Sequence, residues 1–298
     1  MLSSVALALV LSTGAAHAAP PANRLQTTFG EMAYWDTGAG GPTIVLVHGL
    51  PTSKELWQDV VPALSLDHRV IALDINNFGD SEKIGRILDH RQRAAAIDEL
   101  RMQLDLDDFV LVAHDLGASV AVDYMDLYGA RVERLVLLSS PVYPDFEEPP
   151  PVRLLRRPLL GRALLRTMPR ALFRVAMKTG MHHDDRLTDA QVEAFASFYR
   201  GRSGAQALYE NLWWGRPEQA FARYTEILQG LDTPTLLLHG ARDPWIPVEH
   251  AHRMDADIPD SQLRVISDGA HFLPLDTPAA VARAVLVFIA EAPAGPAD

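Results

Sequence analysis

The chain reads as an α/β fold in which a mostly parallel sheet is flanked by helices and interrupted by a helical insertion after the sixth strand. Three observations predict it. Short apolar runs bounded by turn residues recur along the chain, stretches with 3.6-residue spacing lie between them, and from Ser140 to Leu231 only helical patterning is found. With 298 residues, the length fits one large α/β domain carrying an insertion, or two small domains. A content of 48% hydrophobic and 22% charged residues is that of an ordinary globular protein.

The elements follow in order. Two strands are expected from Arg24 onward, followed by a strongly apolar one at Thr43 to Val47 that runs into the loop His48-Gly49-Leu50-Pro51. Val70 to Leu73, Phe109 to Ala113, Leu135 to Leu138 and Pro234 to Leu238 are likewise apolar without alternation, as strands buried on both faces must be. Helices are expected at Lys54 to Leu64, Arg91 to Leu104, Ala118 to Tyr128, Val248 to Ile258 and Thr277 to Ala290. Strand alternating with helix argues a mostly parallel sheet covered by helices on both sides. The prolines Pro141, Pro144 and Pro149 to Pro151 open the insertion. The expected organisation is a signal segment at 1–18, core at 19–140, a helical cap at 141–230 and core again at 231–298.

The signal segment rests on the apolar run Val5 to Leu11, far short of the roughly 20 residues a membrane span needs, and on Ala16-His17-Ala18, which offers small residues at a cleavage site. It predicts a secreted or periplasmic protein with no integral membrane span, although the leading residues carry no Lys or Arg. The absence of cysteine excludes a disulfide scaffold, a thiol nucleophile and a thiolate metal site. A formal charge of −11 would repel a phosphate backbone, so nucleic acid is not an expected partner. Within the insertion, Arg162, Arg166, Arg170, Arg174 and Lys178 recur every fourth residue around Pro169. The pattern reads as a basic face turned to water, with a membrane-surface or polyanion site as the alternative.

Chemistry concentrates in Val110-Leu111-Val112-Ala113-His114-Asp115-Leu116-Gly117-Ala118-Ser119. A buried strand turns into a helix at Asp115, with small residues two before and two after it, as a nucleophile elbow requires. Taken alone, such an Asp reads equally well as an N-terminal helix cap. Two further segments shift the reading. Asp243 follows the strand Leu236 to Leu238, and His271 stands in Asp268-Gly269-Ala270-His271 before the last helix. In an open α/β sheet such loops meet at the carboxyl edge of the strands.

Nucleophile, acid and histidine in this order, together with His48-Gly49-Leu50-Pro51 and Asp74-Ile75-Asn76-Asn77-Phe78-Gly79-Asp80-Ser81, resemble the α/β-hydrolases with a cap and an Asp nucleophile, the branch of epoxide hydrolases and haloalkane dehalogenases. The resemblance covers essentially everything after the signal segment. It implies Asp115 as nucleophile, His271 as base and Asp243 as its orienting acid, with the backbone N–H groups of Leu50 and Leu116 as oxyanion hole. An aspartate is ionised at neutral pH and attacks an electrophilic carbon directly. The resulting ester is then cleared by water activated at His271.

The leaving atom separates the two activities. Haloalkane dehalogenases usually place a Trp after the nucleophile and an Asn after His-Gly, where this chain has Leu116 and Leu50. Epoxide hydrolases use cap tyrosines as ring-opening acids, and Phe198-Tyr199-Arg200-Gly201-Arg202 resembles the segment carrying one of them. Tyr199 is the first candidate and Tyr209 the second. A second acid has no recognisable motif; Tyr143, His182 and His183 are its candidates in the cap. Substrate contact is expected from His48, Pro51, His114, Tyr209, Trp213 and Trp214, the Trp pair being a conceivable halide donor. His48 and His114 also read as hydrogen-bonded structural residues. The fluoroacetate dehalogenase variant is disfavoured, since no Arg follows within Leu116 to Ser119. Adjacent His182 and His183 lack the spacing of two ligands on one helix face, so neither metal nor cofactor is expected. The expected activity is opening of a small apolar electrophile, an epoxide first and a haloalkane second, with a non-catalytic binder as a third reading. Oligomeric state is not legible.

Overall fold

The computed structural model describes residues 20–38, 40–213 and 217–291. The expected signal segment and Trp214 lie outside them. Eight strands form one sheet: β1 (Asn23–Thr27), β2 (Gly30–Asp36), β3 (Thr43–Val47), β4 (Arg69–Leu73), β5 (Phe109–His114), β6 (Val132–Leu138), β7 (Thr235–Gly240) and β8 (Ser261–Ile266). Their spatial order is β1-β2-β4-β3-β5-β6-β7-β8. The first two strands pair antiparallel, β2 runs antiparallel to β4, and every pair from β4 to β8 is parallel. The core strands β3, β5 and β7 are buried almost throughout, which is why they read as unbroken apolar runs.

The chain leaves β3 toward β4 on one side and returns to β5 on the other. At such a switch point the loops after the two central strands diverge and leave a crevice at their carboxyl ends. The loop His48 to Pro51 and the turn at Asp115 stand at this crevice, because Val47 is in register with Ala113.

Helix α1 (His90–Gln103) starts at a capping box in which Asp89 accepts from the Gln92 N–H and the Gln92 side chain bonds back. Helix α2 (Leu116–Tyr128) follows β5 directly and is buried along most of its length. Between β6 and β7 lie the cap helices α3 (Pro150–Leu155), α4 (Pro158–Arg166), α5 (Arg170–Lys178), α6 (Asp189–Ser197), α7 (Gly201–Asn211) and α8 (Tyr224–Gln229). No strand occurs there among the described residues. Helices α9 (Val248–Asp257) and α10 (Pro278–Ala290) complete the second half of the core.

Two differences from the sequence reading have local causes. The stretch Lys54 to Leu64 is a 3₁₀ turn at Lys54–Trp57 followed by a short helix at Val61–Leu64, because Pro62 brings no N–H to continue a helix through it. Strand β8, Ser261–Ile266, leaves no clear mark in the sequence. It is an edge strand with no fully buried residue, so it lacks the apolar run of its neighbours.

Candidate active site

The turn from β5 into α2 holds Asp115 at φ 51°, ψ −121°, a conformation L-residues rarely adopt. Surrounding hydrogen bonds over-determine it. The Asp115 N–H donates to Leu138 O at 3.1 Å, and its own carbonyl accepts from Ala118 N–H at 2.9 Å. Two glycines let the backbones close in. A Cβ at Gly49 would stand 2.5 Å from Asp115 Cβ, and one at Gly117 would stand 2.4 Å from His48 O.

Asp115 stands at the N-cap position of α2, but its side chain makes no capping hydrogen bond, so the reading as an ordinary cap fails. Its Oδ1 accepts from Leu50 N–H at 2.9 Å, and the Leu116 N–H also supports the carboxylate. Its Oδ2 lies 3.6 Å from His271 Nε2, while His271 Nδ1 stands 3.0 Å from Asp243 Oδ2. Asp243 is fixed in turn, with Oδ1 accepting from Trp245 N–H at 2.8 Å and Ile246 N–H at 3.0 Å. The three side chains that stand 128 and 28 residues apart along the chain thus meet at one sheet edge. Asp115 keeps 16% side-chain exposure, whereas His271 and Asp243 are sealed.

Electrostatics follow from this geometry. Burial raises the Asp115 carboxyl above the usual carboxylate range, opposed by His271 and by the N–H groups of Leu116 and Leu50. Burial alone would depress His271, but the Asp243 and Asp115 carboxylates outweigh it and raise the imidazole above its ordinary value. Burial likewise opposes ionisation of Asp243, yet His271 and the two backbone N–H donors hold it below the usual range. With Nδ1–H donated to Asp243, the neutral ring carries its lone pair on Nε2, which faces Asp115 and has no hydrogen-bond partner among the described residues.

Two expected substrate contacts are corrected. His48 is fully buried with both nitrogens engaged: Nδ1 bonds Gly49 O at 2.9 Å and Nε2 accepts from Ile75 N–H at 3.1 Å. It fastens the loop after β3 to the loop after β4. His114, also sealed, bonds His271 O at 2.9 Å and so holds the loop that presents the imidazole. Burial pushes these rings down to about 4 and about 3, so both are neutral struts rather than proton carriers. Pro51, joined to Leu50 by a cis peptide bond, is half-buried.

In the cap, Tyr199 is buried and its hydroxyl has no partner among the described residues. Burial raises its phenol well above the ordinary value, Asp74 adds to the shift and Arg93 opposes it. Tyr209 instead packs within the cap, its ring 4.6 Å from the Arg162 guanidinium and 6.0 Å from the Trp213 ring. Trp213 is half-buried with the Arg156 guanidinium 5.0 Å above it, and its indole N–H has no hydrogen-bond partner among the described residues. The Tyr143 hydroxyl donates to Asp257 at 2.7 Å, which removes it from the ring-opening candidates. His182 and His183 give their backbone N–H groups to the Asp276 carboxylate. Among the described residues no group of three or more His, Asp or Glu could hold a metal ion.

Three supports escaped the sequence reading. The Trp245 ring lies 4.6 Å from the His271 ring and 5.2 Å from Phe272. Asp276, fully buried, accepts from Ala270 N–H at 2.8 Å as well as from the two cap N–H groups, tying the His271 loop to the cap. Lys54, just past the loop His48 to Pro51, bridges Asp74 at 2.8 Å and Asp80 at 2.7 Å. Only their nearness to the motifs, two after Asp243, five after His271 and three after Pro51, could have flagged them.

The family model for the α/β hydrolase fold matches residues 42–278. The chain belongs to the α/β-hydrolase fold family. This hydrolase is 28% identical over 260 residues to the non-heme chloroperoxidase CPO-A1 of Kitasatospora aureofaciens, covering 81% of this chain and 88% of that one. It is 26% identical over 302 residues to a haloalkane dehalogenase of Mesorhizobium japonicum, covering 92% of both. A stretch of 107 residues is 40% identical to a soluble epoxide hydrolase of Corynebacterium, covering 36% and 37% of the two chains. Among solved structures, an α/β hydrolase fold protein from Burkholderia ambifaria superposes with a TM-score of 0.81 at 23% identity, over 91% of this chain and 99% of that one. The hydrolase thus shares its scaffold with proteins of several activities.

Proposed function

We propose that this hydrolase opens epoxides to vicinal diols through a covalent ester on Asp115. The observation that carries the reading is the division of labour between the two carboxylate oxygens: Oδ1 is bound by backbone N–H groups and Oδ2 faces the free Nε2 of His271. Oδ2 attacks the epoxide carbon, the ring C–O bond breaks, and the oxygen leaves with the electron pair and takes a proton from Tyr199. Water then attacks the Asp115 carboxyl carbon while His271 Nε2 accepts its first proton. The negative charge falls on Oδ1, where the Leu50 and Leu116 N–H groups already point, so little reorganisation accompanies the step. Collapse expels the diol oxygen, which recovers the proton from His271, and the second proton of the water returns to Tyr199. Asp243 keeps the imidazole in the required tautomer and stabilises its charged form.

Epoxide is favoured over haloalkane by the apolar side chains of Leu50 and Leu116, which offer a halide no donor, and by the buried, unpartnered Tyr199 hydroxyl. The partial match to an epoxide hydrolase agrees with this, although it spans about a third of the chain. One observation supports haloalkane dehalogenation as a second reading: the Trp213 indole N–H also has no partner among the described residues and could receive a halide. Diol formation from styrene oxide, set against halide release from short bromoalkanes, separates the two. Single turnover in H₂¹⁸O tests the covalent route: the first diol is expected unlabelled, with label in Asp115. Solvent oxygen in that first product would refute it. A non-catalytic binder would turn over neither substrate and would keep its ligand affinity in Asp115→Asn.

A further inference from the structure

A helix covering a domain normally turns its apolar stripe inward and charged side chains outward. The cap helices α4 and α5 depart from this. Their inner positions are apolar as expected, with Leu165, Phe173 and Met177 buried. Their outer positions are apolar as well. Leu159 is 88% exposed, and Leu160, Leu164, Leu172 and Val175 are also exposed, as is Leu154 on α3. These are six of the twelve exposed large apolar side chains among the described residues, gathered in one segment while the other six are scattered.

The charge of the same segment is as unbalanced. Between Glu148 and Asp184 the chain carries seven arginines, one lysine and no Asp or Glu, within a protein of net charge −11. Arg156, Arg170, Arg174 and Lys178 are paired with carboxylates. Arg153, Arg157, Arg162 and Arg166 have no ion-pair partner among the described residues and are exposed. Exposed leucines interleaved with unpaired arginines form a surface that suits a bilayer interface, where acyl chains take the leucines and anionic headgroups the guanidinium groups. A second copy of the chain fits poorly, since a symmetric contact would set these cations against one another. No described helix is long and apolar enough to cross a membrane, so contact would be peripheral.

We propose that the outer face of α3, α4 and α5 docks this hydrolase on the surface of an anionic lipid bilayer. Two of these helices, α4 and α5, also help to wall a cavity of about 120 Å³ lined by Leu165, Met168, Phe173, Leu208 and Tyr199. Docking would therefore bring the cap side of the molecule to the phase in which apolar substrates concentrate.

Co-sedimentation of the full chain with vesicles tests this. Binding is expected to vesicles of phosphatidylcholine containing about a third phosphatidylglycerol, to weaken with added salt, and to be negligible with phosphatidylcholine alone. Each basic residue near such a surface is worth roughly a fivefold gain in partition. The triple variant Arg153→Gln, Arg157→Gln, Arg166→Gln is therefore expected to bind about 100-fold more weakly, and the corresponding triple Lys variant to bind nearly as the parent does. The pair Leu159→Asp, Leu172→Asp is expected to lose binding by at least about tenfold. Far-UV circular dichroism confirms that each variant is folded. Equal binding to neutral and anionic vesicles, or unchanged binding by either the Gln triple or the Leu pair, overturns the proposal. So does binding to soluble polyglutamate without binding to vesicles, which would mark an acidic protein as the partner.

Discussion

At the scale of the residue, opposing influences meet on His271. Its burial disfavours the imidazolium, and two carboxylates restore and exceed what burial removes. The raised value has a definite sign for catalysis. On the proposed route His271 must be neutral to act as base, so clearance of the covalent adduct is expected to fall on the acid side; there Asp115 is esterified and uncharged, and Asp243 alone holds the imidazole up against burial. Replacing Asp243 by Asn removes both the charge and the accepting partner of Nδ1–H while burial persists. The midpoint is then expected to move down, and turnover to drop by about 10³ to 10⁴ because the wrong tautomer is favoured. Adduct decay followed by rapid mixing across pH reads both effects. An unmoved midpoint would mean that Asp243 does not govern this imidazole.

The elements contribute close approach and loop anchorage. Helix α2 can start against the loop after β3 only because Gly117 carries no side chain. In Gly117→Ala the new methyl would meet His48 O at 2.4 Å and Val47 O at 2.8 Å, both backbone atoms with little room to move. A stability loss of about 1–3 kcal/mol is expected, with displacement of Asp115 and loss of most activity. Thermal unfolding and turnover, measured together, check it. The loops after β3 and β4 are joined through Lys54, whose ammonium reaches Asp74 while its backbone N–H donates to the same carboxylate at 2.7 Å. Desolvation opposes the charge, but Asp74 and Glu55 raise the amine above its usual value. Lys54→Met leaves a fully buried carboxylate without its cation, for an expected cost of about 3–5 kcal/mol. Chemical denaturation should show this as a lower midpoint with little change in slope.

Across the whole molecule, the cap is fastened to the core by buried polar contacts. Arg93 on α1 is sealed, and burial lowers its guanidinium to about 10. Its Nη2 donates to Asn211 Oδ1 on α7 at 3.1 Å, and the Asn211 amide donates to Asn77 O at 3.1 Å. Asn211→Ala would leave both groups unsatisfied in the interior. An expected loss of about 1–3 kcal/mol should appear as a lower thermal midpoint. A second joint, Asp276 to the N–H groups of His182 and His183, couples the cap to the loop that carries His271. The basic run of α4 and α5, read from sequence as a solvated face, gains its meaning at this scale because exposed leucines accompany it.

Local pattern marked the buried strands β3 to β7, the small residues around Asp115 and the order of Asp115, Asp243 and His271, and only the three positions together made the turn at Asp115 read as an elbow rather than a cap. A buried strand must be apolar, and a turn that brings two backbones together must be built from small residues, so each leaves a mark within a few positions. Tertiary structure decided what depends on partners distant in sequence. It made His48 and His114 struts by enclosing their ring nitrogens, turned Tyr209 into cap packing, left the Tyr199 hydroxyl unpartnered, and placed Lys54, Trp245, Asp276 and Arg93 around the site. Burial and hydrogen bonding are properties of the assembled environment, and no single segment carries them.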